Sequence, residues 1–287
     1  MASSKLIVIL GATGNQGGSV ANTFLQEPGW QVRALTRNTS SPKAQALAAR
    51  GAQVAHADLD EPESFAAAFE GANAIFAAAE YETQQLKNII DAIAKVPTLE
   101  RFVLSALTNV AKWSNRKYTH VYHFDSKAHA AEYVQEKYPE LWEKTSIFQP
   151  GFFLSNYTSN PLTKVSKFIG HLEPDVKLPF IAPEEDSSPI VKALVNEPAG
   201  KNIIAYRGWL TMPELAQTVT KATGLKAESI TLPKGMFPPE LPEELKLELG
   251  DNFAACNEIG YEARNDPTVI HPRDLKSPPT LDTVEDY

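Results

Sequence analysis

Three features of the sequence predict an α/β fold built on a doubly wound parallel sheet. The apolar run Leu6–Leu10 has the unbroken character of a strand that is buried on both faces. A turn rich in glycine follows it directly, and helical spacing of apolar residues begins near Asn15. Strands and helices then alternate as far as about residue 150, which requires right-handed crossovers and helices on both faces of the sheet.

Each later strand in this part of the chain is a short apolar run, and each helix has apolar residues three or four positions apart. In chain order the predicted elements are strand Gln31–Thr36, helix Ala44–Arg50, strand Gln53–Ala57, helix Pro62–Phe69, strand Ala74–Ala78, helix Glu82–Lys95, strand Phe102–Ser105, helix His120–Gln135 and strand Ser146–Gln149. This order is typical of a Rossmann-type sheet. We therefore expect residues 1–150 to form a domain that binds a dinucleotide.

Beyond Pro150 the composition changes, because most of the 21 prolines lie there and the apolar periodicity is less regular. We expect residues 151–287 to form mainly a smaller substrate-binding lobe, with some segments returning to the core. Its predicted elements are strands Leu178–Ile181, Asn202–Ala205 and Ile230–Leu232, and a helix over Thr211–Ala222 that opens with the capping sequence Thr-x-x-Glu. The last residues, rich in Pro, Asp and Thr, are expected to form a loosely held tail.

The composition is typical of a globular protein, with 43% hydrophobic and 22% charged residues. A net charge of −8 and the lack of any run of Lys and Arg argue against a nucleic-acid partner, since binding phosphates needs clustered cations. The single cysteine, Cys256, excludes an internal disulfide and suits a reducing compartment. No apolar segment is long enough for a signal sequence or a membrane span, so the expected location is the cytoplasm, with no membrane partner.

The glycine-rich turn has the spacing of a nucleotide-binding loop. Gly11 allows a sharp turn, Gly14 allows the backbone to approach a pyrophosphate, and Gly17 allows the helix to pack close to the sheet. The N-terminus of that helix directs free N–H groups and a positive dipole at the phosphates. Other residues of the loop predicted to contact the cofactor are Thr13, Asn15 and Gln16. The alternative is an ordinary turn, in which glycines are also common.

The residues after the second strand indicate which dinucleotide binds. An acidic side chain at this place selects NAD by holding the ribose 2′-hydroxyl. Here the strand is followed by Arg37 and Asn38, with Lys43 nearby and no carboxylate, which favours the 2′-phosphate of NADP. The alternative is that Arg37 is a solvated residue at a strand end. Further predicted cofactor contacts, at the ends of the third and fourth strands, are Asp58, Leu59 and Ala78.

Four separated segments, taken together, resemble the NmrA-like family, whose members are atypical extended short-chain dehydrogenases/reductases. The segments are Gly11–Gly18, Val32–Asn38, His123–Lys127 and Gln149–Asn156. The resemblance covers roughly residues 5–260 and implies a domain that binds NADP(H), with a small lobe that closes over the nicotinamide. It further implies that Pro150 and Phe152 contact the cofactor.

The resemblance also directs attention to the helix after the fifth strand, where the superfamily carries Tyr-x-x-x-Lys. Lys127 matches the lysine, which binds the nicotinamide ribose, and Ser105 matches the serine at the end of the strand. His123 stands where the tyrosine is expected. Histidine can donate a proton near neutral pH, so His123 is the candidate acid and Ser105, His123 and Lys127 are the candidate catalytic residues. The alternative is that His123 only packs and Lys127 only holds ribose.

Aromatic residues close to the predicted lobe boundary are candidates for a substrate pocket. They are expected to line an apolar pocket for an aromatic or terpenoid substrate. The alternative, which is the better interpretation for any single one of them, is that it packs in the core between the lobes. The predicted pocket residues are Tyr81, Trp113, Phe153, Asn156 and Tyr157, with Phe152 and Tyr118 near them. No metal site is expected, because His120, His123 and His129 have no further ligand to complete a tetrahedral set.

These observations predict a reductase that uses NADP(H) to reduce a small, largely apolar carbonyl, imine or conjugated alkene, and the family resemblance suggests a role in secondary metabolism. The alternative is a redox sensor of the NmrA type, which binds NADP(H) without turning it over. The retained Ser105 and Lys127 favour the enzyme, and the loss of the tyrosine favours the sensor. A regulator would have a protein partner and access to the nucleus.

Overall fold

A large parallel sheet with helices on both faces forms the centre of the protein. The computed structural model describes residues 4–58, 60–78, 83–158 and 165–287. In the first half of the chain the elements are β1 (Lys5–Leu10), α1 (Asn15–Phe24), β2 (Trp30–Thr36), α2 (Pro42–Ala49), β3 (Gln53–His56), α3 (Ser64–Phe69), β4 (Ala74–Ala78), α4 (Thr83–Ile93), β5 (Arg101–Ser105), α5 (Val110–Trp113), α6 (Tyr122–Lys137), α7 (Pro139–Trp142) and β6 (Thr145–Pro150).

The second half of the chain contributes shorter strands and three longer helices. Its elements are β7 (Phe152–Phe153), α8 (Ser155–Thr158), β8 (Val165–Gly170), β9 (Lys177–Ile181), α9 (Pro183–Asn196), β10 (Asn202–Ala205), β11 (Gly208–Thr211), α10 (Met212–Thr223), β12 (Lys226–Thr231), α11 (Glu243–Ile259), β13 (Val269–Ile270) and a 3₁₀ turn (Pro272–Asp274).

The main sheet has eight strands in the order β13-β10-β6-β5-β4-β1-β2-β3, and neighbouring strands run parallel. The chain moves from β1 outward through β2 and β3, and then returns to the other side of β1 as β4. The strand order therefore reverses beside β1. In open α/β sheets this reversal creates a crevice at the carboxyl ends of the strands, where ligands bind.

Alternate residues of β1 belong to two separate apolar layers, because successive side chains of a strand point to opposite faces. Val8 packs in the layer covered by α3, α4 and α6, whereas Ile7 and Ile9 pack in the layer covered by α1, α2 and α9. All three side chains are completely buried. The prediction of a doubly wound sheet covered on both faces is thus confirmed.

Residues after β6 contribute both to the main sheet and to a separate lobe. β10 and β13 extend the sheet, and α9 covers it next to α1, where the Ser188 backbone N–H donates to Ser19 Oγ at 3.1 Å. The remaining strands form a three-stranded sheet, β11-β9-β7, and a parallel pair, β12-β8. These small sheets pack with α10 and α11 around a third apolar cluster. That residues 1–150 bind the cofactor and the C-terminal lobe binds the substrate stays a prediction.

The helix predicted over Thr211–Ala222 corresponds to α10, which begins and ends within one residue of those bounds. Thr211 Oγ1 accepts from the Glu214 N–H at 3.2 Å, and Glu214 Oε2 accepts from the Thr211 N–H at 2.7 Å, so the predicted capping box is present. The helices α9 and α11 were not predicted. Pro189 interrupts the pattern of α9, and α11 has few buried apolar residues to mark its period.

The expectation of a loosely held tail was wrong. Arg207 Nη1 donates to the Thr283 carbonyl at 3.3 Å, and the Tyr287 hydroxyl donates to Glu184 Oε1 at 2.7 Å. Leu281 packs against the apolar layer beneath the main sheet. Contacts with distant parts of the chain hold the tail, and such contacts leave no mark in the composition of the tail itself. Every helix in the described part of the chain is either too short or too polar to span a membrane.

Candidate active site

The glycine-rich turn after β1 is compact, and two of its glycines are required by the fold. Gly11 has a φ of 69°, in the left-handed region that favours glycine, and its carbonyl accepts from the Gly14 N–H at 2.9 Å. A Cβ on Gly17 would lie 2.3 Å from the Gly11 carbonyl oxygen, so the first turn of α1 and the end of β1 are in backbone contact. Gly17 therefore has the packing role that the sequence predicts.

Gly14 differs from these two glycines. It precedes α1 with a φ of −91°, which ordinary residues adopt, and a Cβ there would lie 3.3 Å from its nearest neighbour, the Gly11 oxygen. The fold thus places only a mild steric demand on Gly14. Gly14 is exposed and borders the cleft described next. A ligand lying close to its backbone would therefore be a stronger reason for glycine at this position than the fold itself.

A cleft of about 380 Å³ lies beyond the carboxyl ends of β1 and β2, at the point where the strand order reverses. It brings together most of the predicted cofactor residues: Gly11, Thr13, Gly14, Asn15, Gln16, Gly17, Arg37, Asn38 and Ala78. The remaining lining residues were not predicted and are Leu10, Leu35, Thr36, Ser41, Ala57 and Phe65. The apolar residues among them form a wall of the cleft that suits a flat heterocycle. Their positions next to the predicted strand ends were the sequence signal that could have identified them.

Other predicted cofactor residues lie outside this group. Asp58 Oδ1 accepts from the Asp60 N–H at 3.1 Å, and Asp58 is not among the described residues of the lining. Leu59 lies outside the described residues. Pro150 ends β6, where its carbonyl accepts from the Tyr261 hydroxyl at 3.0 Å, and Phe152 packs within the C-terminal lobe. Their contacts with a cofactor stay predictions.

Positive charge borders the cleft beyond β2. Leu10 at the end of β1 pairs with Leu35 on β2. Arg37, two residues further along, therefore lies beyond the carboxyl end of β1, on the side where the glycine-rich turn begins. Lys43 Nζ donates to the Thr13 carbonyl at 3.3 Å and holds a second cation against the loop. The described lining residues include no carboxylate. This edge of the cleft is therefore suited to an anionic group such as a phosphate.

Ser105 connects the end of β5 to the glycine-rich loop. Its hydroxyl donates to Gln16 Oε1 at 2.9 Å, and both residues are buried. The hydroxyl proton is directed at the loop, so only its oxygen lone pairs remain for another partner. This contact was not predicted, because nothing in the sequence links residues 89 positions apart. The assignment of Ser105 as a catalytic residue stays a prediction.

The helix α6 places His123 in its first turn and Lys127 one turn later on the same face. His123 Nδ1 lies 2.5 Å from Glu248 Oε1, and the same oxygen accepts from the His123 backbone N–H at 3.2 Å. Val121 precedes α6 and has no side-chain oxygen to cap it. A carboxylate of α11 therefore takes on the capping role.

A second carboxylate of α11 makes a similar contact one turn away. Asp251 Oδ2 accepts from the backbone N–H groups of Thr119 and His120 at 3.1 Å each and lies 2.8 Å from His120 Nδ1. Glu258, a third acidic residue of α11, accepts from the Tyr118 hydroxyl at 2.5 Å. These acidic residues, spaced along one helix, clamp the segment that leads into α6. These contacts could not be predicted from the sequence, because the helix that carries the three carboxylates was not predicted.

A buried carboxylate supports the segment from inside. Asp125 accepts from the Val110 N–H at 2.7 Å and from the Ala111 N–H at 3.3 Å, and it thereby caps α5 from the first turn of α6. Burial raises the pKa of this carboxyl, although the two backbone hydrogen bonds oppose the shift. Asp125 thus joins α5 to the first turn of α6, and Glu248 joins α11 to the same turn, which carries the predicted proton donor His123.

The predicted pocket residues separate into different environments. Phe152 and Tyr157 stack with ring centroids 5.8 Å apart, and Tyr157 meets Phe168 edge-on at 4.9 Å. Burial raises the pKa of Tyr157 to about 12, so its hydroxyl stays protonated. Phe153 packs instead against the apolar layer of the main sheet. The other predicted pocket residues are Asn156, which is exposed on α8, Trp113, which ends α5, and Tyr81, which lies outside the described residues.

His120 and His123 each face a carboxylate. Even so, the described ranges hold no group of three or more His, Cys, Asp or Glu side chains that could bind a metal ion.

The fold and the glycine-rich cleft define a Rossmann-type α/β protein. The sequence model of the NmrA-like family matches residues 3–287, and the chain belongs to that family. The resemblance found in the sequence is thereby confirmed. An NmrA-like family domain-containing oxidoreductase from Aspergillus hancockii is 30% identical, over 79% of this chain and 75% of its own length.

Two solved structures show the same fold at low identity. The negative transcriptional regulator NmrA has a TM-score of 0.77 at 19% identity and covers 89% of this chain and 83% of its own. A quinone oxidoreductase from Escherichia coli, described as NADPH-dependent, has a TM-score of 0.73 at 22% identity and covers 98% of both chains. The NmrA regulator has been solved with NAD and with NADP.

Proposed function

We propose that the protein is an NADP(H)-dependent reductase that acts on a small, largely apolar carbonyl, imine or conjugated alkene. The observation that carries this proposal is the 380 Å³ cleft at the reversal of the strand order, in which exposed glycine backbone and a guanidinium border one volume. The backbone of Gly14 suits a pyrophosphate, and Arg37 with Lys43 suits a 2′-phosphate. The residues present thus fit NADP(H).

Each part of the cleft has a role in holding the cofactor. Leu35, Ala57 and Phe65 supply the apolar wall for the adenine. The N–H groups at the start of α1 would be available to the pyrophosphate, because Gly14 makes no side-chain cap to them. Ser105 keeps Gln16, and with it the loop, in place. When bound, NADPH supplies the hydride.

The helix α6 carries the residues for the proton and the ribose. In this proposal His123 donates a proton to the substrate, in line with its position on α6 four residues before Lys127, and its side chain is 45% exposed to solvent, which can return the proton. Lys127, one turn later, holds the nicotinamide ribose. Phe152 and Tyr157 offer an apolar surface of the kind that a substrate with few polar groups needs.

The relatives support this proposal by their names. The curated Aspergillus hancockii relative is named an oxidoreductase, and the Escherichia coli neighbour is described as an NADPH-dependent quinone oxidoreductase. A role in secondary metabolism and a cytoplasmic location remain predictions from the sequence.

A second candidate function is that of an NADP(H)-sensing regulator with a protein partner and access to the nucleus. Two observations favour it: His123 stands in place of the superfamily tyrosine, and the NmrA regulator shares the fold. A sensor would bind NADP(H) and release it unchanged.

Cofactor binding and turnover separate these candidates. Thermal-shift and calorimetric titrations with NADPH test the cleft. Oxidation of NADPH, followed by absorbance with a panel of quinones, aromatic aldehydes, cyclic imines and enones, tests the reductase. Binding with no turnover on any member of the panel would favour the sensor, and no binding would refute both.

A further inference from the structure

We propose that Glu248, on α11 of the C-terminal lobe, is a positioning residue that orients His123 for proton transfer. The inference deepens the proposed function and rests on it. The geometry is specific, because Glu248 Oε1 lies 2.5 Å from His123 Nδ1 and also accepts from the His123 backbone N–H at 3.2 Å. One oxygen thereby binds the ring and the main chain of the same residue, which restricts rotation of the imidazole.

The chemistry of the pair assigns the two ring nitrogens. An ionised carboxylate is only an acceptor, so Nδ1 must carry a hydrogen in order to bind Glu248. Nε2 is then the nitrogen that exchanges a proton with the substrate, as an N–H donor in the imidazolium and as a lone pair after transfer. The same division of roles places a base between a reacting group and an orienting carboxylate in other enzymes.

The proton balance of the step is simple. For a carbonyl substrate, bound NADPH would supply one hydride to the carbon, and the oxygen would take the Nε2 proton as the carbonyl π bond breaks. The products would be the alcohol, NADP⁺ and a neutral imidazole whose Nδ1 hydrogen still binds Glu248. Solvent restores the Nε2 proton, because the His123 side chain is 45% exposed.

The other charged groups near His123 also indicate that Glu248 is the partner of its ring. Asp251, also on α11, is bound by His120 and by two backbone N–H groups. Lys127 is a cation one turn further along α6. Among the described residues, Glu248 is thus the carboxylate that contacts the His123 ring.

A purely structural role for Glu248 is the competing explanation, since it also caps α6. Asp251 provides a matched control, because its carboxylate makes the same type of contact between the same two segments through His120 rather than His123. If Glu248 only caps the helix, then Glu248→Ala and Asp251→Ala should have similar effects on stability and on turnover. If Glu248 positions His123, only Glu248→Ala should reduce turnover.

The first experiment compares kcat, NADPH affinity and urea stability for wild type and both alanine variants. We expect Glu248→Ala to lower kcat by about tenfold or more, part of the factor of roughly 10²–10⁴ that a positioned acid supplies. NADPH Kd should stay near the wild-type value in both variants, and Asp251→Ala should keep kcat near wild type. Equal kcat in wild type and Glu248→Ala would overturn the proposal, as would equal losses in the two variants.

The second experiment needs no turnover and therefore separates this proposal from the proposed function. ¹⁵N-labelled histidine distinguishes the two ring nitrogens by NMR, with His123 assigned from a His123→Asn variant among the six histidines of the chain. We expect His123 to hold its hydrogen on Nδ1 in wild type and in Asp251→Ala, and to shift away from that tautomer in Glu248→Ala. A tautomer that is unchanged by Glu248→Ala would refute the positioning role, whereas failure of every substrate with this shift present would refute only the reductase.

Discussion

Replacing Arg37 with Ala should remove most of the preference for NADP over NAD. Arg37 borders the cleft just past β2, and the described lining residues include no carboxylate that would favour a ribose hydroxyl instead. A charge-assisted hydrogen bond is worth about 1.5–3 kcal/mol. Because Arg37 is exposed, we expect the lower end of that range, and a tenfold change in affinity needs about 1.4 kcal/mol.

Wild-type protein should therefore bind NADP at least about tenfold more tightly than NAD. The variant should lose about tenfold in NADP affinity and keep its NAD affinity, with a small remaining preference from Lys43, which contacts the same loop. Isothermal titration calorimetry with both dinucleotides measures these values. The salt concentration must be held constant, since exposed charge pairs are screened.

A matched control removes the same charge outside the cleft. Arg50, at the end of α2, bonds to Asn22 and is absent from the described lining. Arg50→Ala should leave both affinities unchanged. Equal binding of NAD and NADP by wild type would refute the assignment of Arg37, and so would an Arg37→Ala variant that loses both dinucleotides equally.

Three further results are expected. Gly14→Val should abolish the NADP-induced rise in melting temperature and keep a normal circular dichroism spectrum. A Cβ there would lie 3.3 Å from the Gly11 oxygen, which needs only a shift of a few tenths of an ångström, whereas the side chain would displace the pyrophosphate. An unchanged rise would contradict the loop assignment. His123→Phe should lower turnover about 10²–10⁴-fold with NADPH affinity retained, because the positioned proton donor is lost. Full activity of the variant in single-turnover kinetics would show that the proton comes from elsewhere. Arg207→Ala should lower the free energy of unfolding in urea by about 3–5 kcal/mol, because it leaves the buried Asp186 carboxylate without its cation. Lys226→Ala breaks an exposed ion pair and should lower it by under about 1 kcal/mol. Similar losses in both variants would show that burial does not decide the size of the effect.

Much of the fold could be predicted from local patterns. The apolar runs of β1 and β4, the helical spacing after Asn15 and the capping box at Thr211 each have their cause within a few residues of the chain. The glycine-rich turn after β1 can be predicted for the same reason, because the left-handed φ of Gly11 and the contact at Gly17 arise between neighbours in sequence. Local steric rules therefore determine them, and a single sequence exposes them.

Features that depend on distant partners could not be predicted this way. The hydrogen bond from Ser105 to Gln16 spans 89 positions, and the bond from Glu248 to His123 spans 125. The return of β10 to the main sheet likewise depends on pairing with β6 rather than on its own sequence. The sequence by itself determined the sheet, the loop and the identity of the candidate acid. The tertiary structure alone decided which carboxylate holds that acid, because the partners of a polar side chain are chosen by packing between elements far apart in the chain.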